Sequence, residues 1–267
     1  MVKRLIVMCM VVSFTAPFVS GQLWKMKRYE ATAAIGTSQF FGDIGGYSVG
    51  ENFLGLKDIT FRQTRFSVNG SFRYFITDNV AARLSFTYCM FHADDARGAN
   101  KPRGYKTSSF LYEPALFGEY YLVRNRERNS FLFQTYRYRR ASRLRDFFRS
   151  VDVYALTGIG GAGYNVFYGN EKMQDRWDEE PSLKRSGFTA VIPLGVGAKL
   201  AIDPNLLIGV ELAGRYALSD YLDGYTTDDF SRRNDAYHTF SVTVNYRIKT
   251  ARNGLPDLRS LRQSPRL

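Results

Sequence analysis

In six stretches of this chain, alternate residues never carry a charge. From 66 to 76 the even positions read Phe66, Val68, Gly70, Phe72, Tyr74 and Ile76, against Ser67, Asn69, Ser71, Arg73 and Phe75. The pattern returns between 237 and 248, where Phe240, Val242, Val244, Tyr246 and Ile248 alternate with Thr239, Ser241, Thr243, Asn245 and Arg247. Weaker alternation runs through 80–90, 110–122, 188–202 and 206–218. A period of two is a β-strand with two unlike faces. Segments 29–41 and 151–167 are richer in Gly and Ala and read less sharply as two more strands.

The division of charge selects among β architectures. Even positions of the six clear strands hold no Asp, Glu, Lys or Arg, whereas odd positions hold Arg73, Arg83, Glu113, Glu119, Lys199, Glu211, Arg215 and Arg247. A Lys or Arg facing hydrocarbon near a bilayer midplane costs about 2–4 kcal/mol. The even face therefore suits lipid, and the odd face points into a lumen. A soluble, lipocalin-like barrel would reverse the two faces. With Glu30 added, the lumen set has four acids and five bases, nearly balanced, as a plug of ion pairs would be. The expected fold is all-β: an eight-stranded antiparallel transmembrane barrel of outer-membrane type, whose interior is just filled by side chains.

Connections alternate in length as such a barrel requires. Segments 77–79 (Thr-Asp-Asn) and 203–205 (Asp-Pro-Asn) are tight turns. Long polar loops are expected at 43–61, 93–108, 168–187 and 219–236. One short-turn position instead holds a basic insertion, 124–150. Tyr74, Tyr120 and Tyr246 fall near the short-turn ends, and Tyr88, Tyr112, Tyr216 and Phe240 near the long-loop ends, as aromatic girdles should.

Residues 1–21 read as a secretory leader: Lys3 and Arg4, an apolar run, then small residues ending Val19-Ser20-Gly21. Expected organisation is leader 1–21, barrel 22–249 and a basic tail 250–267. A mean hydropathy of −0.28 speaks against a bundle of membrane helices, while 18 Tyr and 21 Phe in a polar chain fit a barrel. Outside the leader Cys89 is the sole cysteine, so neither an internal disulfide nor a cysteine-based metal site is expected.

The net charge of +12 is unevenly placed. Segment 124–150 has nine Arg against Glu127 and Asp146. With Lys249, Arg252, Arg259, Arg262 and Arg266 against Asp257 in the tail, the short-turn side has fourteen bases and three acids. The four long loops have fifteen acids and eleven bases. Short turns of outer-membrane barrels face the periplasm, so essentially all the excess is periplasmic. It can meet anionic lipid headgroups or an acidic protein. The aromatics interleaved in the insertion favour a protein partner, and Arg137, Arg139, Arg140, Arg143, Arg145, Tyr136 and Tyr138 are the expected docking residues. Nucleic acid is not an expected partner in that compartment.

Other motifs carry less. Gly158-Ile159-Gly160-Gly161-Ala162-Gly163 matches a dinucleotide fingerprint, but a strand-like Tyr-Asn-Val-Phe-Tyr follows where the chemistry needs a helix. In a strand these glycines would let neighbouring aromatics pack close. His92 and His238 are the only histidines, and no third ligand stands at a metal-binding spacing. His238 with Ser241 is the nearest approach to a hydrolase constellation. Catalytic residues, metals and cofactors are accordingly expected to be absent. The rival readings are an outer-membrane hydrolase or lipid-modifying enzyme using His238 or His92, and a passive structural or surface barrel.

Four segments together resemble the PorG-like outer-membrane barrels of the type IX secretion system: FFGDIGG at 40–46, ALTGIGGAGYN at 155–165, IPLGVGAKLAID at 192–203 and SDYLDGYT at 219–226. The likeness spans about 29–248. It implies an eight-stranded barrel that works with a periplasmic ring of secretion-system subunits in protein export, with no catalytic residues carried over. The basic insertion and tail depart from that pattern.

Overall fold

The computed structural model describes residues 23–44, 63–96, 101–125, 150–226 and 234–257. After a short 3-10 turn (Leu23–Met26), eight strands follow: β1 (Tyr29–Phe41), β2 (Arg65–Phe75), β3 (Val80–Asp94), β4 (Lys106–Val123), β5 (Val151–Tyr168), β6 (Ser186–Ala201), β7 (Leu206–Ala217) and β8 (Ala236–Ile248). Each pairs antiparallel with its chain neighbour, and β8 returns to β1 from Tyr29↔Ile248 to Phe41↔Ala236. The sheet is a closed barrel with no free edge, so every strand finds backbone partners on both sides.

The wall has the polarity its alternation requires. Even positions of β2, β3, β4, β6, β7 and β8 face outwards, and their large apolar side chains are exposed, with Leu194 at 67% and Leu84 at 64%. Odd positions face the lumen. In β1 and β5 the phase is reversed: Glu30, Thr32 and Ala34, and Asp152, Tyr154 and Leu156, point inwards. The cause is register. Directly opposed residues share a face, and β1 pairs even with odd numbers on both flanks (Glu30↔Arg73, Glu30↔Arg247), as β5 does with β6 (Asp152↔Lys199). Inward residues therefore change parity there.

Two of the expected loops are corrected. The β3–β4 ladder runs on to Asp94↔Lys106, whose side chains pair at 3.2 Å, so both ends of 93–108 are strand and the connection shortens to 95–105. The loop after β5 carries a helix, α1 (Glu171–Glu179), capped by the Asn170 side chain, which accepts from Met173 N at 3.3 Å. Met173 and Trp177, four residues apart, form its buried face.

The glycines of 158–163 lie within β5, with no helix beginning in them. A Cβ on Gly161 or Gly163 would come within 2.1 Å of the rings of Phe188 and Tyr112, which lie across the wall at those points.

Candidate functional site

The lumen is filled, and its lower half, on the short-turn side, is filled with charge. Arg73, 0% exposed, is the hub. Its Nε and Nη2 fork onto Glu119 at 2.5 and 2.9 Å, and its Nη1 binds Glu30. Lys199 Nζ donates to Glu30 Oε1 (2.7 Å) and to the Tyr121 hydroxyl (2.8 Å). Arg83 forks onto Glu211 at 2.7 and 3.1 Å, and its Nε stands 3.1 Å from Glu119. Tyr154 and Tyr121 donate to Glu211 and Glu119 at 2.7 and 3.1 Å. Arg247 Nη2 donates to Asp152 at 3.0 Å, and its Nε lies 4.0 Å from Glu30. Higher up, Arg215 lies 3.2 Å from Glu113, which also accepts from the Tyr237 hydroxyl at 2.7 Å. These charge-assisted forks satisfy ions that could not otherwise be kept dry.

All nine charged residues assigned to the lumen from the alternation point into it, and the structure adds a tenth. Asp152, 1% exposed, pairs with Arg247 and accepts from Asn125 N at 2.6 Å. Among the described residues the strands therefore send five acids (Glu30, Glu113, Glu119, Asp152, Glu211) and five bases (Arg73, Arg83, Lys199, Arg215, Arg247) into the lumen. The signal for Asp152 was present: an acid between two valines, followed by alternate Tyr154 and Leu156. Below this network Arg124 stacks over Phe75 and Tyr121 at 4.0 and 4.4 Å and, with its side chain 6% exposed, stoppers the short-turn mouth.

The upper, loop-side half is apolar. Phe40, Phe91, Leu111, Tyr164, Val166 and Tyr237 line it, and Met173 and Trp177 of α1 close over them with Leu222 and Tyr225. The loops are tied together above. Asp223 Oδ2 accepts from the backbone of Asp43 (2.9 Å) and Ile44 (3.1 Å), its Oδ1 accepts from Tyr225 N (3.0 Å), and Asp235 accepts from Leu222 N (2.8 Å). Trp177 Nε1 donates to Gly224 O at 2.9 Å; Gly224 has φ +75°, a left-handed conformation that favours glycine. Arg103 forks onto Asp95 (2.8 and 2.9 Å), donates to Asp43 O (2.7 Å) and stacks over Tyr225 at 4.5 Å. Segments 40–44 and 219–226, far apart in sequence, thus meet through Asp223. Burial and the neighbouring Asp43 push that carboxyl up to about 8, and burial with Asp223 pushes Asp235 up as well.

The histidines sit on the outside of the wall near the loop-side rim. His238 packs edge-on against Phe41, and His92 Nδ1 lies 3.0 Å from Ser108 Oγ. Ser241 faces the lumen, so His238 and Ser241 stand on opposite faces of β8. Among the described residues no three His, Cys, Asp or Glu side chains come together as metal ligands. Arg137, Arg139, Arg140, Arg143, Arg145, Tyr136 and Tyr138 lie outside the described residues, as do the leader and the tail beyond 257.

An eight-stranded closed barrel with an apolar outer wall and an ion-paired lumen is the fold of outer-membrane β-barrel proteins. The chain belongs to the family described as a domain of unknown function, DUF6089, whose model matches residues 3–245. No curated protein matches it. Among solved structures it is similar to Neisserial surface protein A (NspA), with TM-score 0.41, 13% identity, and 82% of this chain and 96% of that one covered. It is similar to a major outer membrane protein from Thermus thermophilus, with TM-score 0.42, 14% identity, and 82% and 99% covered. It is also similar to the attachment invasion locus protein Ail of Yersinia pestis, with TM-score 0.39, 12% identity, and 82% and 99% covered.

Proposed function

We propose that the protein is a non-enzymatic outer-membrane barrel, exported on its 1–21 leader, that assists protein export by docking an acidic periplasmic partner. The observation that carries this reading is the balance of the lumen. Five acids and five bases neutralise each other inside the wall. The net charge of the chain therefore lies outside the lumen, and by sequence it collects on the short-turn side. A plugged, neutral interior favours a scaffold over a conduit. The resemblance to PorG-like barrels supports a ring of type IX secretion subunits as that partner.

Insertion 124–150 supplies the chemistry. Arginine forks match carboxylates, and interleaved Tyr and Phe add desolvated contact area, the make-up of interface hot spots. Replacing 134–146 by a short Gly/Asn turn should leave heat-modifiable gel migration intact while lowering secreted cargo and removing periplasmic cross-links. The triple change Arg137→Glu, Arg139→Glu, Arg140→Glu should act more sharply, because it adds repulsion to lost attraction. Normal assembly with normal export would sink the docking claim and leave a passive barrel.

A further inference from the structure

Two large apolar side chains are exposed where the barrel wall does not explain them. Among the described residues, exposed large hydrophobics belong to the strands or to the residue next to a strand end, except Met26 (64% exposed) and Leu255 (60%). Both sit at the short-turn rim. After β8 the chain folds into a small hairpin, 249–257, closed by the bridge Thr250↔Pro256, by Asp257 N to Lys249 O (2.8 Å) and by Ala251 N to Leu255 O (2.9 Å). Gly254, at φ +82°, makes its turn.

The hairpin is seated on the outer side of the rim. Thr250 N donates to Met26 O (2.8 Å), Arg28 N donates to Thr250 Oγ1 (3.0 Å), and the Tyr29 hydroxyl donates to Gly254 O (2.8 Å). Tyr29 is an outward residue of β1. Its ring lies 5.7 Å from Phe72 and 5.2 Å from Tyr74, both outward residues of β2, so the hairpin tip meets the lower aromatic girdle. Ile248, the register partner of Tyr29, also occupies an outward position but is only 3% exposed. In sequence, Lys25 and Arg28 flank Met26, and the hairpin that carries Leu255 also holds Lys249 and Arg252, with Asp257 its one acid. Arg28 Nη1 donates to the Tyr74 hydroxyl at 3.0 Å, which holds its guanidinium at girdle level.

We propose that hairpin 249–257, together with Met26 and Arg28, is an interfacial foot that binds anionic phospholipid headgroups of the leaflet at the short-turn side. Leu255 and Met26 enter the acyl boundary, continuous with the apolar wall, and the four bases take the phosphates. Basic and apolar residues together are what interfacial anchoring requires, each base near an anionic surface adding about 1 kcal/mol of attraction, or roughly fivefold in partition. The foot depends on the barrel standing in a bilayer and is independent of the partner docked by the insertion.

The test uses the full chain with Cys9→Ser, leaving Cys89 fully buried from label. An environment-sensitive fluorophore is placed at Leu255→Cys, and at Leu212→Cys in mid-wall as the membrane control. The protein is reconstituted into vesicles of phosphatidylcholine with an equal part of phosphatidylglycerol, doped with nitroxide lipid. Lipid quenching at both positions is expected, with shallow-labelled lipid most effective at 255. Nitroxide phosphatidylglycerol should quench position 255 better than nitroxide phosphatidylcholine, and Arg252→Gln should cut that preference by up to about fivefold. Quenching at 255 by aqueous iodide but not by lipid, with 212 still lipid-quenched, would overturn the foot and leave Leu255 to a protein partner. Iodide quenching at 212 as well would instead overturn the membrane-spanning wall.

Discussion

The two halves of the lumen are enclosed by the same eight strands and are filled by opposite means. On the short-turn side every buried ion faces a counter-ion: Arg73 with Glu119 and Glu30, Arg83 with Glu211, Arg247 with Asp152. On the loop side the filling is Phe40, Phe91, Leu111, Tyr164 and Trp177, and the buried carboxylates above it, Asp223 and Asp235, are met by backbone N–H groups. An ion answered by an ion is held in place, because removing either partner leaves the other buried and uncompensated. A carboxylate answered only by amides, beside other carboxylates, gives up its charge readily. The lower plug is therefore a permanent part of the wall, while the upper cap is a set of loops joined by groups that titrate.

The largest effect should come from breaking the lower plug at its hub. Glu119→Ala takes one counter-ion from each of Arg73 and Arg83, leaving Arg73 to Glu30 and Arg83 to Glu211, and removing one partner of a buried pair costs about 3–5 kcal/mol. Urea unfolding in detergent, followed by heat-modifiable migration, should show a clear fall in midpoint. A midpoint equal to wild type would mean that the charges are solvated and the lumen is open.

A smaller effect, confined to the cap, should follow pH. Asp223 binds its proton more tightly in the folded cap than in the unfolded chain, so its stabilising contribution is complete below the ordinary carboxylate range. That contribution fades as pH rises and is lost once pH passes about 8. Trp177 is buried in the cap, so its fluorescence and the protease sensitivity of 169–185 should report loosening on the alkaline side while the wall stays folded. Asp223→Asn keeps an oxygen to accept from Asp43 and Ile44 but removes the titration, and should flatten the profile. An unchanged alkaline transition in that variant would assign the loosening to other groups.

The smallest effect belongs to the surface of the cap. Arg176→Ala removes an (i, i+4) pair with Glu180 at the end of α1, worth about 0.3–0.5 kcal/mol. Cap protease resistance should barely change. A loss as large as that from Glu119→Ala would place α1 in the wall's own cooperative unit and erase the contrast between the halves.

Much of this was legible in the residues, and the exceptions share a cause. Strand β2, read from Phe66 to Ile76 and found at Arg65–Phe75, was readable because its two faces differ at Phe66/Ser67, Val68/Asn69 and Phe72/Arg73. β1 and β5 were readable as strands but not in phase, since Gly and Ala at 33–36 and 158–163 blur the two faces. Asp152 was lost with the phase of β5, and the base excess of one was the trace it left. The Asp94↔Lys106 pairing was hidden because polar strand ends read like loop. Helix α1 was missed because only Met173 and Trp177 mark its buried face. The two segments joined by Asp223 stood out as motifs, yet nothing local in either pointed to the other.

Alternation is a local property of the pleat, so the sequence by itself determined the number of strands, the apolar outer wall and the charged interior. In β1 and β5, where small residues blur the two faces, which parity faces inwards was decided by the register of pairing with the neighbouring strands. The pairing of Arg73 with Glu119, the seat of Asp152 and the meeting of Asp223 with the backbone of Asp43 and Ile44 are contacts between distant strands and loops. Those the tertiary structure decided, because closing the barrel carries charges that no local pattern relates into one space too small and too dry to leave any of them alone.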